Sequence, residues 1–209
     1  MSGNFRSILS LTINGSKILA GADRGNIYLS PDLGQNWRMV SAGVDPPKRY
    51  VNQISVLNIT VAGKTSLFAG TNNGLFVSTN RGQTWRPTGI FHQVTILRLI
   101  GSSIFAVAGG RLFISRDNGM NWVASMDKGY FVNAITVKDG RIYIIHTALA
   151  GKDNDIHLEN KGVYISTDDG RSWTPINDDL PELDVQGLAV NDTHLFVTTE
   201  SSRLFARRF

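Results

Sequence analysis

The stretch that decides the fold is STDDGRSW (166–173), because the chain repeats it. SPDLGQNW (30–37), STNRGQTW (78–85) and SRDNGMNW (115–122) share its pattern, and each of the four tryptophans in the sequence closes one such segment. The tryptophans stand 48, 37 and 51 residues apart, bracketing the ~40–50-residue period of propeller blades. Each segment has the same surroundings. An alternating stretch comes first, as in VNQISVLNITV (51–61), FVNAITVKD (131–139) and DVQGLAVND (184–192). A short apolar run follows: KILAGA (17–22), SLFAGT (66–71), SIFAVA (103–108), RIYIIH (141–146) or HLFVTT (194–199). Then comes a strand with a central aromatic, NIYLS (26–30), GLFVS (74–78), RLFIS (111–115) or GVYIS (162–166), and a last strand starting at the tryptophan.

Period-2 alternation, β-branched and aromatic enrichment and dense glycine turns predict antiparallel strands, and no segment sustains a helical period. The expected fold class is all-β, a β-propeller of four-stranded antiparallel blades, with five blades. One domain spans 1–209, with blades near 6–43, 50–89, 93–128, 131–179 and 184–209, the last closed by residues 2–5. A closed ring of this kind predicts a monomer. An incomplete ring, finished by a second chain or a missing segment, predicts a dimer.

Composition narrows the function classes. Hydrophobic content of 42% and charged content of 18% are those of an ordinary globular chain. No apolar run reaches the ~18–20 residues of a membrane span, and MSGNFRS lacks the features of a signal peptide. Without cysteine there is no disulfide, thiolate metal site or cysteine nucleophile. The net charge of +4 is scattered, its densest cluster being Arg203, Arg207 and Arg208. This reads as solubility rather than a nucleic-acid surface.

The pattern Ser/Thr-x-Asp-x-Gly-x-x-Trp resembles the Asp-box, or bacterial neuraminidase repeat, in every blade but the last. That motif occurs in sialidases, xyloglucan-cleaving endoglucanases, sortilin-type receptors and photosystem II assembly-factor-like propellers. The resemblance implies a hairpin between the third and fourth strands of a blade, on the face away from an active site. It also implies an extracellular or periplasmic location. Physical reasoning leads to the same staple. Asp32, Asp117 and Asp168, and Asn80 through its carbonyl, are expected to accept backbone N–H groups two residues on, in an Asx-type turn. Gly34, Gly82, Gly119 and Gly170 sit where a tight loop needs positive φ. Trp37, Trp85, Trp122 and Trp173 bury large rings over the hairpins. A shared ligand would hardly tolerate Asn for Asp at position 80, so the boxes read as structure and not as sites.

Sialidase chemistry has no counterpart here. There is no Arg-Ile-Pro motif, and Glu159, Glu182 and Glu200 are the only glutamates. No GxSxG elbow is present, and His92, His146, His157 and His194 lack metal spacing. No catalytic residue, metal or cofactor is assigned. The expected function is a non-catalytic binding or scaffold module for protein or glycan. A sialidase-like glycoside hydrolase and an assembly factor of a membrane complex are the alternatives.

A ligand would use the face opposite the boxes, formed by the loops between strands two and three and those between blades. The inter-blade loops carry Tyr50, Phe91, His92, Tyr130 and Phe131. The innermost strands enter through Ser7, Asn52, Thr95, Asn133 and Gln186, read as equivalent positions. These side chains either hydrate a pore or form a ring of donors suited to a sugar or peptide. His146 ends a second strand on the same side. In blade four, TALAGKDNDIHLENKG (147–162) is an insertion of about a dozen residues, read as a loop carrying Asp153, Asp155 and His157. Its spacing matches no calcium loop.

Overall fold

The structure is a computed structural model describing residues 7–23, 25–40, 56–62, 66–125, 130–151, 157–178 and 180–208, with Asn14, 56–62 and Tyr130 as backbone alone. The described residues form five antiparallel sheets, each from consecutive strands. The first contains β1 (Ile8–Asn14), β2 (Lys17–Ala22), β3 (Ile27–Ser30) and β4 (Arg38–Met39). The second contains β5 (Val56–Ala62), β6 (Ser66–Thr71), β7 (Gly74–Ser78) and β8 (Arg86–Pro87). The third contains β9 (Val94–Ile100), β10 (Ser103–Ala108), β11 (Arg111–Ser115) and β12 (Val123–Ala124). In the fourth, β13 (Tyr130–Lys138) and β14 (Arg141–Ala150) are followed by β15 (His157–Ser166) and β16 (Thr174–Pro175). The fifth holds three described strands, β17 (Val185–Val190), β18 (His194–Thr199) and β19 (Leu204–Arg208). This four-strand meander, repeated, is the blade of a propeller. The closing segment 2–5 lies outside the described residues.

The chain divides into two compact units, Met1–Gly109 with Ser115–Trp122 and Gly110–Ile114 with Val123–Phe209. In the first, Leu19, Ile27, Leu29 and Val40 of sheet one pack on Leu67, Ala69, Phe76 and Trp85 of sheet two. In the second, Tyr143, Ile145 and Val163 of sheet four pack on Val185, Leu195 and Val197 of sheet five. The second strands β6, β10 and β14 are covered on both faces, and for that reason SIFAVA is buried at all six positions and reads as a continuous apolar run. The two-residue fourth strands β4, β8 and β16 are exposed.

Each described inner strand carries a β-bulge near its start. The register shifts fall between Ile8 and Ser10, Val56 and Asn58, Val132 and Ala134, and Val185 and Gly187; in sheet three, the partners step from Ile96 to Val94. The residues at the bulges are Leu9, Leu57, Thr95, Asn133 and Gln186. The alignment on polar residues therefore holds for the last three and fails for the first two. Leu9 and Leu57 occupy the position expected of Ser7 and Asn52, because the bulge and not side-chain polarity fixes the register.

The blade-four insertion also differs from the loop expected. Thr147 to Ala150 pair with Asn160 to His157, so most of the insertion lengthens the hairpin β14–β15. TALA and HLEN meet residue for residue, which gives their backbone groups partners that a loop would have to seek in water.

Candidate functional site

The four boxes are built alike. Ser30, Ser78, Ser115 and Ser166 each donate from Oγ to Oδ1 of the residue two positions on, at 2.8–2.9 Å. Each also accepts the N–H of the box glycine, at 2.7–2.9 Å. The N–H two residues beyond the Asp or Asn therefore goes to the serine, not to the carboxylate as an Asx turn would have it. The acceptor Oδ1 takes instead the N–H four residues on, from Asn36, Thr84, Asn121 and Ser172 at 2.8–2.9 Å. The second oxygen of each aspartate accepts a side chain from that same residue, at 2.6 Å from Asn36, 2.7 Å from Asn121 and 2.6 Å from Ser172. In the second box the direction reverses, and Asn80 Nδ2 donates to Thr84 Oγ1 at 2.9 Å. A hydroxyl can donate or accept, which is how the box keeps its geometry without the charge.

Two consecutive residues of each box lie at positive φ: Leu33 and Gly34, Arg81 and Gly82, Asn118 and Gly119, Asp169 and Gly170. That is the turn conformation favoured in tight hairpins. These hydrogen bonds hold the carboxyls low. Asn36 side-chain donation lowers Asp32, the Asn121 backbone N–H lowers Asp117 to about 2, and Ser172 lowers Asp168.

The tryptophans join neighbouring blades. Trp85 Nε1 donates to the carbonyl of Val40 in sheet one's blade at 2.8 Å. Trp173 Nε1 donates at 2.9 Å to Ser125 Oγ, which itself donates to the carbonyl of Gly170. Val40 and Ser125 hold the same place, three residues after the preceding tryptophan. In sheet five, which has no box, Arg207 Nη1 donates at 3.0 Å to the carbonyl of Ile176, again three residues after a tryptophan. An arginine thus supplies the donor that a tryptophan supplies elsewhere. Trp37 turns on its own Gly34 carbonyl at 3.0 Å, and Trp122 stands edge-on to Phe68, ring centroids 6.2 Å apart.

Antiparallel connectivity puts the β2–β3, β6–β7 and β14–β15 turns at the opposite end of each sheet from its box, and the β18–β19 turn in the corresponding place of sheet five. At that end the second unit holds a polar cluster. Asp184 Oδ1 accepts from Asn160 Nδ2 at 2.6 Å and from Gln186 Nε2 at 3.2 Å. The N–H of Glu200 donates to the Asp184 carbonyl at 3.1 Å. The Glu200 carboxyl is pushed up by its hydrogen bond to Asp184 and by that group's charge. Ser201 Oγ donates to Glu182 Oε1 at 2.6 Å. Of these residues only Gln186 was a site candidate on sequence. Asn160 and Asp184 are 24 positions apart, and only the lengthened hairpin of sheet four brings them together.

The other candidates are distributed as follows. Thr95 and Asn133 occupy bulges and are exposed; His92 is exposed beside Gly109, and His157 is exposed at the start of β15. Phe131 is half-buried, its ring where a Cβ on Gly110 would stand. Tyr130 pairs with Ala148 through the backbone. His146 is only 1% exposed, lies 4.8 Å from the Tyr164 ring and is lowered to about 4, chiefly by burial and then by the Lys161 charge. It is a core histidine in this fold and is not presented to a ligand. Tyr50, Asn52, Asp153 and Asp155 lie outside the described residues. Among the described residues no three His, Asp or Glu side chains converge as a metal site would require, and no helix is long and apolar enough to cross a membrane.

The BNR/Asp-box repeat model matches residues 76–87 and 164–175, the second and fourth boxes with the strands around them. No curated protein matches the sequence. Among solved structures the chain is similar to YCF48 bound to D1 peptide, at 16% identity and TM-score 0.65, over 96% of this chain and 63% of that one. YCF48 from Cyanidioschyzon merolae is similar at 12% identity and TM-score 0.66, over 98% and 68%. An ancestral GH74 enzyme is similar at 19% identity and TM-score 0.68, over 98% of this chain and 30% of that one. The chain thus spans about two thirds of the first relatives' length, and under a third of the enzyme's. At these identities the likeness establishes the fold, a β-propeller, and this propeller carries BNR/Asp-box repeats.

Proposed function

We propose that the chain is a non-catalytic binding module whose ligand, a protein segment or a glycan, docks on the face opposite the boxes. The observation that carries this reading is the contact of Asn160 with Asp184, which ties the lengthened β14–β15 hairpin to the polar cluster of Gln186, Glu200 and Ser201. The cluster offers amide and hydroxyl groups together with carboxyls, the donor and acceptor mixture that reads peptide backbones and sugar hydroxyls. Tyr130 and His157 belong to the same proposed face, to which the sequence reading adds Tyr50, Asp153 and Asp155. The similar YCF48 fold is known with a peptide bound, which favours a protein segment as the first ligand to try.

A glycoside hydrolase is the second reading, favoured by a Glu200 raised beside Asp184. Two carboxyls in hydrogen-bond contact, however, are closer than the roughly 5 Å or more that flanks a glycosidic bond. Peptide and glycan arrays test both readings. The intact chain should bind a defined set of array members, and Asn160→Ala with Gln186→Ala should lose at least tenfold in affinity while remaining folded. Undiminished binding by the double variant would remove the site. Turnover of sialosides, xyloglucan or glucans that disappears in Glu200→Gln would establish the enzyme instead.

A further inference from the structure

The face that sheet four turns toward sheet five continues past the end of sheet five. Tyr143, Ile145 and Val163 on that face pack on Val185, Leu195 and Val197. Side chains alternate along a strand, so Thr147 and Leu149 of β14 extend the same face outward. Their partners across the hairpin are Asn160 and Leu158. Asn160 reaches the start of β17, where it donates to Asp184 Oδ1 at 2.6 Å. One step further out, Leu149 and Leu158 stand directly opposite one another and are 51% and 60% exposed. The hairpin therefore overhangs sheet five and makes a corner with it. Every residue of this corner belongs to the second compact unit.

The wall of the corner is apolar at the leucine pair, and its floor is acidic. Glu200 lies in hydrogen-bond contact with Asp184, two like-charged groups crowded together. Glu182 accepts from Ser201, the residue after Glu200, at 2.6 Å. Among the described residues no lysine or arginine forms an ion pair with Asp184, Glu182 or Glu200, whereas Glu159 on the hairpin's other face already holds Lys161 at 2.6 Å. At the root of the corner, opposite Asn160, the hydroxyl of Thr147 is buried and has no hydrogen-bond partner among the described residues. A buried polar group left in that state calls for an acceptor.

We infer that this corner binds an extended peptide segment carrying an apolar side chain and a lysine or arginine two positions apart. The inference rests on the reading of the polar cluster as the ligand face and names the chemistry of its ligand. Charge complementarity selects the cation, because a basic side chain on the floor relieves the crowding of Asp184 and Glu200. A neutral sugar brings no such charge, and an acidic sugar is repelled. The leucine pair selects the apolar side chain, since burial of an exposed leucine is the one gain that the wall offers. Spacing selects the extended conformation. Leu158 is two residues from Asn160 on one strand, about 7 Å along it, which is the repeat of side chains on one face of an extended peptide. The peptide backbone also brings carbonyl acceptors to the side of the hairpin on which Thr147 lacks one.

Fluorescence anisotropy with labelled octapeptides of glycine and serine, carrying one leucine and one lysine two positions apart, tests the inference. This peptide should bind at least tenfold more tightly than versions with glutamate for lysine, serine for leucine, or the two residues adjacent. These comparisons need no change in the protein. Leu149→Ser with Leu158→Ser, both exposed positions, should lose the preference for leucine, and Glu200→Gln should lose most of the preference for lysine. Added salt should weaken binding of the lysine peptide. Equal affinity for the lysine and glutamate peptides, no affinity for either, or a leucine preference that survives the double serine variant would overturn the inference. Glycan binding alone, lost in Asn160→Ala with Gln186→Ala, would overturn it while keeping the ligand face. Peptide binding unchanged in that alanine pair would remove the face as well.

Discussion

At the residue scale the serine that opens each box organises the turn. Its buried Oγ accepts the glycine N–H and donates to the Asp or Asn, so losing it strands a buried donor, a cost of about 1–3 kcal/mol. Ser166→Ala should therefore lower the unfolding free energy by about that amount in urea titrations, whereas an exposed change such as Arg171→Ala should stay within about 0.5 kcal/mol. The sequence made the aspartate conspicuous because its charge is rare and repeated. The serine hid because serine suits any turn, and the difference lay in which oxygen receives the N–H two residues on. The Asn80 box is the natural control for the charge. Asp32, Asp117 and Asp168 are held below their ordinary value of 3.8. Their contribution is complete above about pH 4 and is lost as pH falls through their folded values, near 2 for Asp117. His146 works at higher pH. Its folded value is about 4 against an ordinary 6.5, so the unfolded chain takes up a proton first and stability falls as pH drops from about 6.5 to 4. Urea midpoints across pH 2–8 should show two descending steps. His146→Gln should flatten the upper step and Asn80→Asp should deepen the lower one; a flat profile down to pH 3 would contradict both assignments.

At the scale of the element, what was legible depended on whether the signal was local. Strand order, the box hairpins and their left-handed glycines follow from period, turn chemistry and repetition, all readable within eight to fifty residues. The bulges were legible only in part. Thr95, Asn133 and Gln186 were found by polarity, while Leu9 and Leu57 escaped because a bulge needs no particular side chain. The long insertion was read as a loop from its length, yet the alternation in TALA and HLEN already fitted a paired hairpin. Asn160 and Asp184 were missed altogether, since neither residue is unusual until β15 is long enough to reach the start of β17. The clamp between blades gives a prediction at this scale. Arg207 donates to the Ile176 carbonyl as Trp85 does to that of Val40. Arg207→Leu should therefore destabilise the fifth blade by about 1–3 kcal/mol, read as faster hydrogen exchange in β18 and β19 with little change in β6 and β7. Equal loosening of both blades would refute a local clamp.

For the whole molecule, the division of labour runs between the two ends of each sheet. The box end repeats one turn with interchangeable parts, as expected of a structural device. The other end varies from blade to blade, and in the fourth and fifth blades it gathers the charges and amides that a ligand could read. The fold carries no chemistry by itself, and similar propellers include both a peptide-bound YCF48 and an ancestral GH74 enzyme. The proposed function therefore rests on the varied end. Hydrogen-exchange footprinting of the complex with the strongest array-selected ligand tests that claim most directly. The account predicts slowed exchange at residues 157–162, 184–187 and 200–202, with the boxes at 30–37, 78–85, 115–122 and 166–173 unchanged. Protection centred on the boxes, with the opposite face untouched, would contradict it.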